Sequence, residues 1–105
     1  MKKTILTLFL FWASMLLVVA QKQMNIITYN IRYNTPSDMQ NAWPNRRGSV
    51  IELLKRHKED IFSVQEALYD QIMDLKDGMS GFDYVGVGRD DGEQAGEYSA
   101  IFYKT

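Results

Sequence analysis

Two short apolar segments, each followed by a polar residue, constrain this chain more than any other feature. They contain the runs TYNIRYN and DIFSVQE, within 25–34 and 60–66. Their β-branched and aromatic residues predict two strands buried in a sheet. Asn30 and Glu66 would then emerge at the sheet edge, where ligands usually bind in layered α/β folds. Both side chains offer oxygen atoms, so the two segments predict half of a metal-dependent active site.

The first twenty residues are predicted to lie outside the fold. Lys2 and Lys3 precede an apolar run over 5–19 that ends at Ala20, which is the layout of a secretory signal peptide. An uncleaved anchor remains the alternative, because the run approaches the roughly 20 residues that span a bilayer. We therefore expect an exported protein, periplasmic or extracellular, whose mature domain covers 21–105 and has no membrane span after cleavage.

Composition narrows the functional classes. The chain carries 12 Lys plus Arg against 13 Asp plus Glu. Loss of the two leader lysines would change its formal net charge from −1 to −3. A net acidic chain is a poor non-specific binder of nucleic acid, although a local basic patch would be enough for an enzyme. The chain has no cysteine, which excludes disulfides and Cys-based zinc sites.

The remaining pattern alternates strands and helices. Strands are predicted over 24–33, 60–65, 82–87 and 98–103, and helices over 45–57 and 67–79. Apolar stripes at helical spacing comprise Val50, Leu53, Leu54 and His57 in the first helix, and Leu68, Ile72, Leu75 and Met79 in the second. The segments 34–44 and 88–96 are predicted loops. This alternation indicates an α/β layered domain with a single core.

Asn30 and Glu66 admit two interpretations. Magnesium prefers oxygen ligands and is often held by only one or two carboxylates plus waters and substrate phosphate, so a sparse site is chemically reasonable. Alternatively, Asn30 closes a turn and Glu66 caps a helix that begins at Ala67, a favourable place for a negative charge. The spacing alone leaves both interpretations open.

Five motifs in order carry a family resemblance. They are TYNIRYN, AWPNRR, EDIFSVQEA, YVGVGRDDG and GEYSAIFYK. Together they resemble the N-terminal half of the endonuclease/exonuclease/phosphatase family, metal-dependent hydrolases with a deoxyribonuclease-I-like fold, and especially its secreted bacterial members. The resemblance covers 24–105. It implies that the chain is the N-terminal part of a four-layer α/β sandwich, in which helices flank two β-sheets.

The resemblance also assigns roles to individual residues. Asn30 resembles the first-strand asparagine of the active site, and Glu66 resembles the glutamate that binds catalytic Mg²⁺, with Mn²⁺ as an alternative. Arg32 stands where apurinic-site nucleases carry an aspartate, so a DNA-repair role is not implied. Arg89 and Glu97 are expected to shape the substrate pocket, with a solvated turn as the alternative, and the planar donors of an arginine suit a phosphate.

The other catalytic groups of the family are absent from these 105 residues. The family carries a G-D-x-N run and an Asp-His pair farther along the chain, whereas the single histidine here, His57, is expected to be structural. Trp43 and Arg46 are expected to fix a loop to the first helix.

These absences lead to two expectations about function. The first is an incomplete and inactive half of a magnesium-dependent phosphoester hydrolase. The second is a non-catalytic truncated remnant that binds at most a cation or, through an open sheet edge, a partner chain. The residues do not specify whether the substrate is a nucleic acid, phospholipid, inositol phosphate or sugar phosphate.

Overall fold

The structure, a computed structural model, describes residues 2–19 and 21–105, with the side chains of 13–19 left out. Helix α1 spans Lys2–Val19. The predicted cleavage point at Ala20 lies outside the described residues. Within the described part of the chain, no helix combines the length and apolar character needed to cross a membrane.

The predicted alternation of strands and helices is confirmed. The elements that follow α1 are β1 (Ile26–Asn30), a 3₁₀ helix (Pro36–Asn41), α2 (Trp43–His57), β2 (Ile61–Ala67), α3 (Tyr69–Gly78), β3 (Phe82–Val85) and β4 (Tyr98–Lys104). The segment predicted as one loop therefore contains a 3₁₀ helix, and α2 begins earlier than expected. Pro44 fits the first turn of α2 because the N–H it lacks has no partner there.

The four strands form one mixed sheet in the order β1-β2-β4-β3. Strands β1 and β2 are parallel, and β4 is antiparallel to both β2 and β3. Asn30 at the end of β1 pairs in register with Gln65, directly before Glu66. The parallel pairing therefore brings the carboxyl ends of β1 and β2 to the same edge of the sheet.

One face of the sheet carries the core. Phe62 of β2 and Phe102 of β4 are fully buried, with their rings stacked at a centroid distance of 4.7 Å. The two helices contribute Val50, Leu54, Ile72 and Leu75, all buried. Burial of a large apolar side chain contributes roughly 1.5 to 3 kcal/mol, so this face supplies most of the stability.

The opposite face of the same strands is exposed. Ile26, Val85 and Ile101 are 68%, 54% and 46% exposed. The two-residue repeat of a strand places these side chains away from the helices. The sheet thus has one covered face and one apolar open face.

The expected apolar stripe of α2 is wrong for two of its members. Val50 and Leu54 are buried, but Leu53 and His57 are exposed. Leu53 and His57 line a groove beside Tyr29. Because β1 is an edge strand, that side of α2 has no further strand to pack on. His57 is also the last residue of α2.

Arg46 anchors the segment between β1 and α2, as predicted, whereas Trp43 instead joins α2 to α3. The Trp43 indole donates to Asp74 Oδ2 at 2.8 Å. Arg46 donates from Nε to the Asn41 carbonyl at 2.6 Å and from Nη1 to the Ile31 carbonyl at 3.1 Å. These bonds join the end of β1 and the 3₁₀ helix to the two helices.

Candidate active site at the carboxyl ends of β1 and β2

Asn30 and Glu66 form a hydrogen-bonded pair. Asn30 Nδ2 donates to Glu66 Oε1 at 3.0 Å, and the Arg32 amide donates to Asn30 Oδ1 at 3.0 Å. A backbone amide can only donate, so the oxygen of Asn30 must face Arg32 and its nitrogen must face Glu66. The Asn30 side chain therefore both closes a local turn and orients the carboxylate.

A bulge in β2 aims the Glu66 side chain. Phe62 and Val64 face the helices, so a regular strand would also point residue 66 into the apolar layer, where an unpaired carboxylate is costly. The register shifts between Val64 and Ala67, and Ala67 takes the buried position with 0% exposure. Glu66 itself adopts a left-handed backbone with φ 62°. The bulge thereby points the Glu66 carboxylate toward Asn30 and away from the apolar layer.

The interpretation of Glu66 as a helix cap is wrong. Ala67 is still part of β2, and α3 begins only at Tyr69.

Arg32 is bound to the 3₁₀ helix. Its guanidinium donates to both carboxylate oxygens of Asp38, at 2.6 and 2.7 Å. The hydrogen bond with Asp38 raises the pKa of Arg32, and the same bond lowers the pKa of Asp38. Arg32 also has a left-handed backbone, with φ 58°. The chain that follows β1 is thus fixed at an unusual conformation.

Gln71 is a structural residue that the sequence interpretation missed. It is fully buried in α3. Its Oε1 accepts from the amides of Asn34 at 2.8 Å and Leu68 at 3.0 Å, and its Nε2 donates to the Arg32 carbonyl at 2.8 Å. A glutamine three residues after the capping position of a helix, here Leu68, resembles the second half of a capping box, the one sequence signal that could have indicated it. We call Asn30, Arg32, Glu66 and Gln71 the strand-end cluster.

The segment 86–97, which we call the acidic loop, carries the second pair of predicted residues. Arg89 Nη1 lies 2.7 Å from Glu97 Oε2, and the Arg89 amide donates to the Glu97 carbonyl at 3.2 Å. The Arg89 side chain is 71% exposed and the Glu97 side chain 24%. Glu97 therefore holds one side of the guanidinium, Asp90 Oδ1 lies 3.7 Å from its Nε, and the rest of the group faces solvent.

Short local bonds hold the acidic loop in shape. Asp91 Oδ1 accepts from the amides of Glu93 at 2.7 Å and Ala95 at 3.0 Å, and these bonds, chiefly that from Ala95, lower the pKa of Asp91. The hydroxyl of buried Tyr98 donates to the Glu93 carbonyl at 2.9 Å. At Gly88 a Cβ would overlap the backbone of Ala95. The acidic loop therefore has a defined conformation and is not an unconstrained turn.

The two groups of predicted residues meet at one cavity of about 500 Å³. Glu66, Arg89, Glu97 and Tyr98 are among its lining residues. Asn30 reaches this cavity only through its hydrogen bond to Glu66. His57 lines a different groove, beside β1.

Comparison with known proteins agrees with this geometry. Neither a scan against protein-family models nor a search of curated proteins found a match. Among solved structures, an endonuclease/exonuclease/phosphatase from Bacteroides vulgatus is 46% identical, with a TM-score of 0.73 over 74% of this chain and 30% of that chain. A mannosyl-6-phosphatase from Bacteroides thetaiotaomicron is 39% identical, with a TM-score of 0.75 over 79% of this chain and 32% of that chain.

The predicted resemblance to the endonuclease/exonuclease/phosphatase family is confirmed. A third match, a functionally unknown conserved protein from Enterococcus faecalis, is 33% identical, with a TM-score of 0.71 over 77% of this chain and 31% of that chain. The chain thus spans 30% to 32% of the solved structures it matches. The mixed sheet with its helices is accordingly part of a deoxyribonuclease-I-like fold.

The donor atoms of this endonuclease/exonuclease/phosphatase-like site fit a hard cation. Glu66 offers carboxylate oxygens, which Mg²⁺ prefers, whereas the Asn30 oxygen already accepts from the Arg32 amide. In the described part of the chain, no cluster of three or more His, Cys, Asp or Glu side chains could hold a metal. Magnesium often keeps several waters and takes only one or two carboxylates from the protein, so the pair is compatible with it. The roles of Asn30, Glu66, Arg89 and Glu97 remain predictions.

Proposed function

We propose that this chain supplies the metal-binding half of a magnesium-dependent phosphoester hydrolase. The observation that carries the proposal is the pair of Asn30 and Glu66, bonded at 3.0 Å at the strand ends, beside the cavity that Glu66 shares with Arg89. Glu66 would hold Mg²⁺, with Mn²⁺ as the alternative, and Asn30 would complete the site. The cation, when bound, supplies stabilisation of charge on phosphate oxygens.

The protein's own side chains would bind and orient the phosphoester. Asn30 fixes one carboxylate oxygen of Glu66, which keeps the second available for a ligand. Arg89 has five N–H donors in a rigid fork, and Glu97 takes up one part of that fork. The outward part can donate to a phosphate oxygen in the cavity.

The same residues do not supply a base. Hydrolysis requires a group that takes a proton from the attacking water. The single histidine, His57, lines a separate groove. We therefore propose that the 105 residues alone bind metal and phosphate without turnover. Steady Mg²⁺-dependent hydrolysis of p-nitrophenyl phosphate by the purified chain, abolished by EDTA, would contradict this.

Charge around the cavity favours a small phosphoester over nucleic acid. The acidic loop carries four carboxylates, Asp90, Asp91, Glu93 and Glu97, against the single cation of Arg89. Nucleic-acid binding depends on Lys and Arg that neutralise many phosphates. The Bacteroides thetaiotaomicron relative, a mannosyl-6-phosphatase, supports a sugar phosphate. Anisotropy of a labelled single-stranded oligonucleotide should not change at low salt, and saturable binding would oppose this choice.

A calorimetric titration of Mg²⁺ tests the metal site and the phosphate site together. The chain should bind Mg²⁺, and inorganic phosphate should tighten that binding, because the two ligands would meet in the same cavity. Absence of Mg²⁺ binding, or binding that phosphate leaves unchanged, would argue against a phosphoester hydrolase.

A partner-chain function is the second candidate, favoured by the open face of the sheet. Ile26, Val85 and Ile101 are exposed there, and contiguous apolar patches often mark interaction sites. Both β1 and β3 are edge strands that could pair with another chain. Sedimentation should show concentration-dependent self-association that Ile101→Lys abolishes. A monomer at all concentrations would remove this candidate.

Export is also part of the proposed function. The chain begins with Lys2 and Lys3 and continues as helix α1 with exposed side chains over 2–12. This combination of a basic start and an apolar helix supports a cleaved signal peptide. N-terminal sequencing of the protein from its producing cells should begin at Gln21. A protein that retains Met1 would contradict cleavage.

A further inference from the structure

Gln71 connects the two segments that carry the candidate site, although its hydrogen bonds go to neither Asn30 nor Glu66. Its carboxamide bonds to the carbonyl of Arg32 and the amide of Asn34, which follow β1, and to the amide of Leu68, which follows β2. These three bonds are 2.8 to 3.0 Å long. One fully buried side chain thus joins both strand ends.

Both joined segments begin with an unfavourable backbone conformation. Arg32 and Glu66 have φ values of 58° and 62°, in the left-handed region that non-glycine residues rarely adopt. Such conformations persist only where the surrounding structure over-determines them, and they cluster at functional sites. The bonds from Gln71 act on Arg32 itself and two residues beyond Glu66, and therefore constrain both positions.

The chemistry of the Gln71 position requires a carboxamide. One oxygen must accept two bonds and one nitrogen must donate one, which a glutamine side chain can do. An apolar side chain of similar size would leave two amides and one carbonyl without their partner, at the full desolvation cost of buried polar groups. The side chain is therefore not interchangeable with an ordinary core residue.

We propose that Gln71 is a positioning residue for the metal site. Its bonds hold the strand ends at the separation that lets Asn30 orient Glu66 at 3.0 Å. The inference rests on the proposed function, because its functional consequence is metal affinity. Groups that orient metal ligands from outside the coordination shell typically contribute about 10- to 100-fold to affinity.

The test compares Gln71→Met with Ile72→Val in the 105-residue chain. Both residues are fully buried and adjacent in α3. Met keeps the approximate volume of Gln and removes all three bonds, whereas Val only trims a core side chain. Gln71→Glu keeps the two accepted bonds but sets a carboxylate oxygen against the Arg32 carbonyl, and it serves as the second variant if the Met variant does not fold. Urea unfolding measures the loss of stability in each.

Two readouts separate positioning from stability. The first is the NMR signal of the Asn30 side-chain amide, which is hydrogen-bonded to Glu66 and not to Gln71. Its two proton resonances should stay resolved in Ile72→Val and converge toward free-amide values in Gln71→Met. The second is Mn²⁺ affinity from paramagnetic broadening, which should fall about tenfold in Gln71→Met and less than twofold in Ile72→Val.

The outcomes distinguish this inference from the proposed function. An Asn30 signature that survives in Gln71→Met, or that is lost equally in Ile72→Val, overturns the positioning role. If the native chain does not bind Mn²⁺ near Glu66, the proposed function fails, but the Asn30 resonances still decide whether Gln71 positions the pair.

Discussion

Glu66 of the strand-end cluster and Arg89 of the acidic loop line one cavity, but the cluster and the loop are held in different ways. Gln71, fully buried, ties the cluster into α3 and the core. The acidic loop is held by its own backbone, by Asp91, which is exposed, and by one hydrogen bond from buried Tyr98 of β4. The strand-end cluster should therefore respond to changes in the core, whereas the acidic loop can change without loss of the fold.

This difference agrees with a general division of labour in enzymes. Binding residues often lie on loops that a rigid scaffold positions, and loops tolerate sequence change better than the elements they connect. In this chain, Glu66 lies at the end of a core strand and Arg89 lies in a loop. We expect relatives with different substrates to differ mainly in the loop.

The largest expected effect is on the metal side. Glu66→Gln removes the one carboxylate of the cluster and should weaken Mg²⁺ binding by at least about 100-fold, more than the loss of an outer-shell partner. Thermal unfolding should change little, because the amide can still accept from Asn30. Calorimetry provides the measurement, with Asp70→Asn, a nearby exposed carboxylate, as the control. Equal losses of Mg²⁺ affinity in the two variants would show that Glu66 acts no differently from a surface carboxylate.

The second effect concerns the backbone of the acidic loop. Gly88→Ala would force a Cβ into the backbone of Ala95 and should cost about 1 to 3 kcal/mol. Gly48→Ala provides the matched control, since nothing lies within 4 Å of a Cβ there. In the interior of α2 it should stabilise the chain by about 0.5 to 1 kcal/mol. Urea denaturation gives both values, and a neutral Gly88→Ala would mean that the loop is not tightly built.

A third effect sharpens the boundary between the two sides. Tyr98→Phe removes the bond to the Glu93 carbonyl and should cost about 1 kcal/mol. Hydrogen exchange should accelerate in the acidic loop and remain unchanged at Gln71 and its partners. Faster exchange at Asn34 or Leu68 would show that the two sides are coupled, contrary to the comparison.

The smallest effect is a dependence on pH. Hydrogen bonds lower the pKa of both Asp38 and Asp91 in the folded chain. The stability that each carboxylate contributes is fully present above its unfolded pKa of about 3.9. It is lost as pH falls through the lower pKa of the folded state. Asp38→Asn should therefore destabilise the chain at pH 7 and lose that effect as pH falls through the lowered folded pKa of Asp38. An effect of Asp38→Asn that is equal at pH 7 and at acidic pH would show that the ion pair of Asp38 with Arg32 is not its cause.

The sequence was sufficient to place Asn30 and Glu66 at one sheet edge. Asn30 and Glu66 follow apolar runs, and parallel pairing of those strands brings their ends together. The bulge at Glu66 could not be predicted, because its left-handed backbone occurs at a residue with no conformational signature of its own. Gln71 was missed for a related reason, since its three partners are defined only after the strands have paired.

Contacts between segments far apart in the sequence set the other limits of what the sequence could predict. The insertion of β4 between β2 and β3 depends on contacts between distant segments. The same topology makes β1 an edge strand, which leaves Leu53 and His57 exposed although their helical spacing indicated burial. The Arg89 and Glu97 pair could be nominated from the family motif, but its bonding geometry could not.

A map of Mn²⁺-induced NMR line broadening tests most directly whether the strand ends hold a metal ion. At low Mn²⁺ concentration, line broadening should be centred on Asn30 and Glu66 and should extend next to the residues that line the cavity beside Glu66. Excess Mg²⁺ should remove this broadening. Broadening centred on the exposed carboxylates of Asp90 and Glu93, or spread evenly over the surface, would contradict a metal site at the strand ends.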